Sequence, residues 1–137
     1  MAKLVFLNGY VQVNGVDLSD HASQIQLQLS KEQVDVTAMG ANAHQWLAGL
    51  ENDKLTVVWW QDFAASEVDA TLYPIWQAGT PVAFKVAANG SSISSTNPSY
   101  SGSVILADYD PIDGKVGDGL SSNVSFMISG TVVRGTT

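Results

Sequence analysis

Apolar and polar residues alternate most regularly over residues 23–30. Three glutamines there separate three aliphatic residues, which are Ile25, Leu27 and Leu29. Successive side chains of a strand point to opposite faces, so this period of two predicts a strand with one dry face and one wet face. The alternation resumes over residues 33–37, which predicts a second strand and a hairpin that turns at Lys31 and Glu32.

Shorter apolar runs predict the remaining strands. Two Asn-Gly pairs, Asn8-Gly9 and Asn14-Gly15, are strong turn signals and favour a β-meander near the start of the chain. The run over residues 54–62 is apolar enough for us to expect that both of its faces are covered. The predicted strands cover residues 3–7, 10–13, 54–62, 82–87, 100–107 and 123–129.

One segment, residues 66–78, has the period of a helix. Its apolar residues recur at helical spacing and predict one buried face. Ser66 and Asp69 approximate a capping box at its start, and Gly79 is a stop signal at its end. The face is predicted to contain Val68, Leu72, Ile75 and Trp76.

The order of these elements defines the fold class. Several strands precede the helix and at least three follow it, in a chain of 137 residues, which is the usual size of one domain. We therefore expect a single, mainly β domain over residues 1–137. Its architecture is predicted to be a two-sheet antiparallel sandwich or barrel-like pair of sheets with one flanking α-helix.

Residues 38–53 fit neither period and are predicted to form an extended loop. The segment is nevertheless apolar, and long apolar loops are uncommon in compact domains. Its side chains pack either on the chain's own core or on a neighbouring molecule. The second alternative assigns a subunit interface to Met39, His44, Trp46, Leu47 and Leu50.

The low content of charge also points to a neighbour. Only 14% of residues are charged, about half the usual share in a soluble domain, which suits a protein whose faces other subunits cover. A monomer rich in serine, threonine and asparagine is the alternative. The net charge of −7 argues against a protein that reads nucleic-acid sequence, because phosphate contacts need lysine and arginine.

Neither secretion nor membrane insertion is indicated. The chain has no cysteine, so it has neither disulfides nor thiolate metal ligands. No apolar stretch reaches membrane-spanning length, and the first ten residues lack the long apolar region of a signal peptide. We expect a protein that is made in a cytoplasm and is used or assembled there.

The residues suggest no catalytic, cofactor or metal site. The acidic loop over residues 108–122 resembles a calcium loop, but its carboxylates are wrongly spaced and no glutamate closes it. His21 and His44 have no second ligand at i+2 to i+4, and Asp62 and Glu67 merely flank a turn. We therefore expect a protein that is not an enzyme and needs no cofactor.

Several short motifs occur in an order that resembles the tail-tube (major tail) proteins of long-tailed bacteriophages. The resemblance runs over nearly the whole chain, and the order of the motifs is more specific than any one of them. They are residues 34–40 (VDVTAMG), 47–50 (LAGL) leading into the strand at 55–60, the helix at 67–76, 96–100 (TNPSY) and 110–118 (DPIDGKVGD).

The resemblance implies a structural protein of the virion tail. It implies a two-sheet sandwich with a flanking helix, assembled into stacked six-fold rings that form a hollow conduit for DNA. It also implies that a long early loop reaches the next subunit or ring, as the apolar segment 38–53 suggests. The implied partners are further copies of the chain, tape-measure and terminator proteins, and DNA that passes without specific contacts. Assembly would take place in the cytoplasm of the bacterial host.

Two other functions remain as alternatives, and the orientation of one polar row is also open. A minor tail or tail-terminator protein of the same fold is possible, and so is a carbohydrate-binding β-sandwich that uses Trp59 and Trp60. Those two tryptophans are adjacent in a predicted strand, however, so they point to opposite faces. The neutral row Gln24, Gln26 and Gln28 either lines the lumen or is simply exposed to solvent.

Overall fold

Nine strands, one α-helix and one short 3₁₀ turn make up the computed structural model, which describes residues 3–137. The strands are β1 (Tyr10–Val13), β2 (Val16–Asp17), β3 (Ala22–Gln28), β4 (Lys31–Asp35), β5 (Trp46–Glu51), β6 (Lys54–Trp60), β7 (Val82–Ala87), β8 (Ser99–Tyr109) and β9 (Ser121–Gly135). The 3₁₀ turn spans Ser19–His21, and the helix α1 spans Val68–Ala78. Within the described residues no helix has the length and apolar character needed to cross a membrane.

Seven strands form one antiparallel sheet in the order β2-β1-β7-β8-β9-β6-β3. Residues from the strands at both ends of this order pack against the same buried cluster, since Val16 of β2 and Ile25 of β3 are both partly buried against it. The two ends can share a core only if the sheet curls round it. This confirms the predicted mainly β, barrel-like antiparallel fold with one helix.

The helix α1 closes the core. Val68, Leu72 and Ile75 lie one turn apart and are buried against the curled sheet. The helix ends where Gly79 adopts a left-handed conformation with φ of 68°, which a residue with a side chain rarely adopts. The stop signal and the position of the helix are therefore confirmed.

Strands β4 and β5 form a separate two-stranded sheet outside the seven-stranded one. All residues of both strands are exposed. We call residues 31–51 the arm. Since β5 lies within residues 38–53, the second half of the predicted extended loop is a paired strand.

Two predictions near the start of the chain were also wrong. Residues 3–7 form no strand, and their apolar side chains are exposed. No hairpin joins residues 23–30 to residues 33–37, because β3 pairs with β6 and β4 pairs with β5. The pair Asn14-Gly15, in contrast, forms the predicted turn between β1 and β2, with positive φ at both residues.

Three predictions about the middle of the chain need correction. Trp76 is about half exposed and does not belong to the buried face of α1. No side-chain cap forms at the start of the helix, where Ser66 instead adopts a φ of 64°. Strand β6 is covered mainly on one face: Trp59 is fully buried, whereas its neighbour Trp60 is half exposed on the other face.

Candidate functional site

The arm presents apolar side chains to solvent over its whole length. Its register places Val34 opposite Leu47, which are 46% and 59% exposed. An isolated two-stranded hairpin is marginally stable in water, and apolar cross-strand pairs normally stabilise a sheet by being covered. The arm therefore has the apolar side chains that are typical of a buried hairpin, although these side chains are exposed.

All five residues of the predicted interface lie on the arm. Met39 is at its tip and fully exposed, and Trp46 and Leu47 begin the returning strand. Leu50 is 77% exposed close to the end of that strand, and the His44 side chain is largely exposed. None of the five packs on the core of its own chain.

Polar contacts order the arm just below its tip. Asp35 Oδ1 accepts hydrogen bonds from the backbone N–H and the hydroxyl of Thr37, at 2.9 and 2.6 Å. Thr37 Oγ1 in turn accepts one from the backbone N–H of Gln45 at 2.8 Å. These contacts join the two strands where the ladder ends.

A histidine and a tryptophan lie beside this network. His44 Nδ1 is 3.3 Å from Asp35 Oδ2, and the ring centroids of His44 and Trp46 are 5.9 Å apart. The pKa of Asp35 is below its usual value, chiefly because Thr37 donates two hydrogen bonds to the carboxylate and secondarily because His44 lies near it.

The root of the arm is held by Asp53, which follows β5. Asp53 is 3% exposed, and its Oδ1 accepts a 2.9 Å hydrogen bond from the backbone N–H of Ser30. The backbone N–H of Asn52 donates to the Ser30 carbonyl at 2.8 Å. The two ends of the arm are thereby fixed to each other where they leave the sheet.

The glutamine row lies on β3, which is an edge strand of the seven-stranded sheet. Gln24, Gln26 and Gln28 are exposed, whereas Ile25 and Leu27 are half buried against the core. The structure thus confirms the wet and dry faces over β3, whereas Leu29, the third residue of the predicted dry face, lies beyond the strand and is 54% exposed. The outer edge of β3 has no strand paired to it among the described residues.

Sequence reasoning missed a second exposed apolar segment near the start of the chain. Leu4, Val5 and Leu7 are at least 75% exposed. Phe6 is half exposed and lines an apolar groove together with Ile25, Leu27, Leu29, Val86 and Tyr100. The apolar run is visible in the sequence, but its residue types are those of a strand and do not indicate exposure.

A cluster of charged groups surrounds His21. Its Nδ1 is 2.9 Å from Asp20 Oδ1, and its Nε2 is 2.9 Å from Asp62 Oδ2 and 3.6 Å from Glu67 Oε2. Burial by itself lowers the pKa of His21, but the hydrogen bonds to Asp20 and Asp62 and the nearby negative charge outweigh it and raise the pKa. Spacing along the sequence could not reveal this cluster, since His21 and Asp62 belong to distant segments.

A second polar contact ties the helix to the sheet. The hydroxyl of Tyr109 donates to Asp69 Oδ1 at 2.6 Å and accepts a hydrogen bond from Gln61 Nε2 at 3.1 Å. Burial is the main reason why the pKa of Tyr109 is raised, and its bond to Asp69 adds to that rise. Asp69, which was expected to belong to a capping box, serves instead in this contact.

Comparison with known proteins gives no match to a family model and no match to a curated protein. Solved structures do match. The chain is similar to the tail of an empty gene transfer agent particle, with a TM-score of 0.72, 16% identity and 93% of each chain covered. It is also similar to the SPP1 tail tube, with a TM-score of 0.73, 11% identity, and 95% of this chain and 76% of the other covered.

A third similar structure comes from an extracellular contractile injection system. The PVC sheath/tube terminator has a TM-score of 0.71 and 11% identity, with 98% of this chain and 97% of the other covered. Since these structures cover nearly the whole chain, the protein has the tail-tube fold. The sequence motifs indicate a resemblance to tail-tube proteins, and this resemblance is thereby confirmed at the level of the fold.

Proposed function

We propose that this protein is a structural subunit of a virion tail tube, which assembles into stacked six-fold rings and conducts DNA. The observation that carries the proposal is the arm: a hairpin outside the sheet with exposed apolar side chains along its length. Surfaces of that kind mark contacts with another protein. The tail-tube fold makes a second copy of the same chain the natural partner.

The interface residues in this proposal are Met39, His44, Trp46, Leu47 and Leu50. Burying an aromatic side chain on a neighbour contributes a few kcal/mol, at roughly 25 cal/mol per Å² of apolar surface. The exposed segment at residues 4–7 adds apolar surface of the same kind. Tape-measure and terminator proteins would be the further partners.

The lumen is assigned in this proposal to the face of Gln24, Gln26 and Gln28. A conduit for DNA must not hold phosphates, and neutral side chains on an acidic protein meet that requirement. The role is mechanical, so we assign no catalytic residue and no cofactor to it. The protein would be assembled in the cytoplasm of the bacterial host and would remain in the virion tail.

Electron microscopy of the purified protein tests this function. We expect rings and tubes that become more abundant as the protein concentration rises. A variant that combines Trp46→Ser, Leu47→Ser and Leu50→Ser should remain folded and form neither. A matched control, Tyr73→Ser with Trp76→Ser on the exposed side of α1, should still form tubes. Strictly monomeric wild-type protein at high concentration, with tail-initiating proteins added, would exclude a tube subunit.

A second candidate, a tail terminator, is favoured by the similarity to a sheath/tube terminator. A terminator closes a tube and does not extend one. Single rings that bind to the ends of preformed tubes, without polymers of their own, would identify this alternative.

A further inference from the structure

The contacts of His21 differ from those of an ordinary ion pair. Both ring nitrogens face a carboxylate oxygen at 2.9 Å, Nδ1 facing Asp20 and Nε2 facing Asp62. A neutral imidazole has one N–H and one lone pair, so either tautomer leaves one nitrogen lone pair opposed to an oxygen lone pair. The geometry therefore calls for a positive charge, which is either a second proton on the ring or a metal ion on one side of it.

The Nε2 side has the donors that a metal ion needs. His21 Nε2, Asp62 Oδ2 and Glu67 Oε2 lie within 4.8 Å of one another, which allows one ion to contact all three after small movements of the side chains. One imidazole and two carboxylates suit first-row divalent ions such as Zn²⁺, whereas Mg²⁺ and Ca²⁺ prefer oxygen ligands alone.

The surrounding contacts hold these donors in place. With the ring proton on Nδ1 and donated to Asp20, the lone pair of Nε2 faces Asp62 and Glu67, an arrangement common among metal-binding histidines. The other oxygen of Asp62, Oδ1, accepts the backbone N–H of Ala64 at 2.9 Å. Oδ2 therefore lies on the side of His21 Nε2, where a bound ion would replace the 2.9 Å contact between them.

The charge of the cluster also favours a cation. It contains three carboxylates, those of Asp20, Asp62 and Glu67, and within the described chain no lysine or arginine forms an ion pair with any of them. The side chains of Asp62 and Glu67 are about one-third exposed, so an ion has access from solvent.

We propose that His21, Asp62 and Glu67 form a binding site for a divalent transition-metal ion, with Asp20 as the residue that positions the imidazole. The ion joins the 3₁₀ turn before β3 to the start of α1, two segments that are otherwise far apart in the chain. Such a bond stabilises the folded subunit, since an ion that binds only the folded state shifts the equilibrium towards it.

The chain offers a matched control for this site. His44 also lies near one aspartate, Asp35, but no third ligand joins them. The experiment titrates tag-free protein with Zn²⁺ by calorimetry, and with Co²⁺ by visible absorption. We expect one equivalent to bind to the wild type and to His44→Asn with the same affinity.

The variants of the site should bind zinc more weakly. We expect His21→Asn and Glu67→Gln to lose at least tenfold in affinity, and Asp20→Asn to lose about tenfold, as is usual for a residue that orients a metal ligand. The melting temperature of the wild type and of His44→Asn should rise with zinc, and that of His21→Asn should not.

Three results would overturn the site. One is the absence of zinc binding to the wild type. Another is unchanged binding by both His21→Asn and Glu67→Gln. The last is an equal loss in His21→Asn and His44→Asn, which would mean that zinc binds to any exposed histidine. Circular dichroism of each variant checks that it is folded.

Discussion

Asp53 Oδ1 accepts a 2.9 Å hydrogen bond from the backbone N–H of Ser30, so that one buried side chain joins the start of the arm to its end. The other oxygen of Asp53, Oδ2, has no hydrogen-bond partner among the described residues. This residue thus combines one stabilising contact with one buried oxygen that no described protein group satisfies.

Asp53→Ala should loosen the root of the arm. The lost hydrogen bond leaves the Ser30 N–H unpaired, but removing the unsatisfied oxygen offsets part of that cost, so we expect a loss of about 1 kcal/mol. Hydrogen exchange should accelerate at Ser30 and Asn52 and remain unchanged in β8. Asp110→Ala, at an exposed aspartate, is the control; equal protection of the arm in both variants would mean that Asp53 does not hold it.

Trp46→Ala separates the interface from the core. Because Trp46 is 55% exposed, the variant should unfold at nearly the wild-type temperature. If a neighbour covers this side chain, a loss of about 1.4 kcal/mol per contact would weaken each contact tenfold and raise the concentration needed for assembly. Trp59→Ala is the matched control, since Trp59 is fully buried and its loss should cost about 3–5 kcal/mol of subunit stability. An unchanged assembly threshold in Trp46→Ala would remove this residue from the interface.

Lysine substitution tests whether the glutamine row faces the lumen. If Gln24, Gln26 and Gln28 face the lumen, replacing all three with lysine should create phosphate contacts and slow the passage of DNA, more so at low salt. Tubes should still form, because all three side chains are exposed. A triple lysine variant at Ser91, Ser92 and Ser95 supplies the same charge on another exposed loop. Equal DNA passage in both variants at low salt would assign the glutamine row to another surface.

The fold was predictable where local patterns and final contacts agree. The alternation in β3, the turn at Asn14-Gly15 and the helix stop at Gly79 are local signals, and the structure confirms each of them. Pairing was not predictable: β3 and β4 are neighbours in sequence, yet β3 pairs with β6. Alternation defines the two faces of a strand but says nothing about which edge it joins.

The candidate site, like the fold, could be predicted only in part. Its apolar arm could be found from composition alone, because Trp46 and Leu50 are conspicuous in a segment without helical or strand period. The His21 cluster could not be found, since its ligands come together only through the curl of the sheet and the start of α1. Trp76 was misassigned for a related reason, because helical spacing gives the width of a face and the neighbouring elements decide how much of it is covered.

Tyr109 makes stability depend on alkaline pH. Its pKa is raised in the folded protein, so between the ordinary value near 10 and the higher folded value the unfolded chain has already lost the proton. The contribution of Tyr109 to the stability of the fold is therefore fully present below pH 10 and falls as the pH rises above that value. Tyr109→Phe should be less stable at neutral pH, because it loses the bond to Asp69, yet its melting temperature should fall less between pH 9.5 and 11. If the melting temperatures of the two proteins fell by the same amount over that range, Tyr109 would not be the cause of the pH dependence.

The strand order has a consequence for the way the chain folds. Strands β7, β8 and β9 follow one another and can pair as soon as they exist, but β1 must wait, since Tyr10 pairs with Ala87. Until then the apolar Val11 and Val13 have no cover. Pairings between distant parts of a chain slow folding and prolong the exposure of unfinished sheets. During synthesis the first strand to leave the ribosome thus waits until β7 has been made, and in that interval the unfinished sheet has most need of a chaperone.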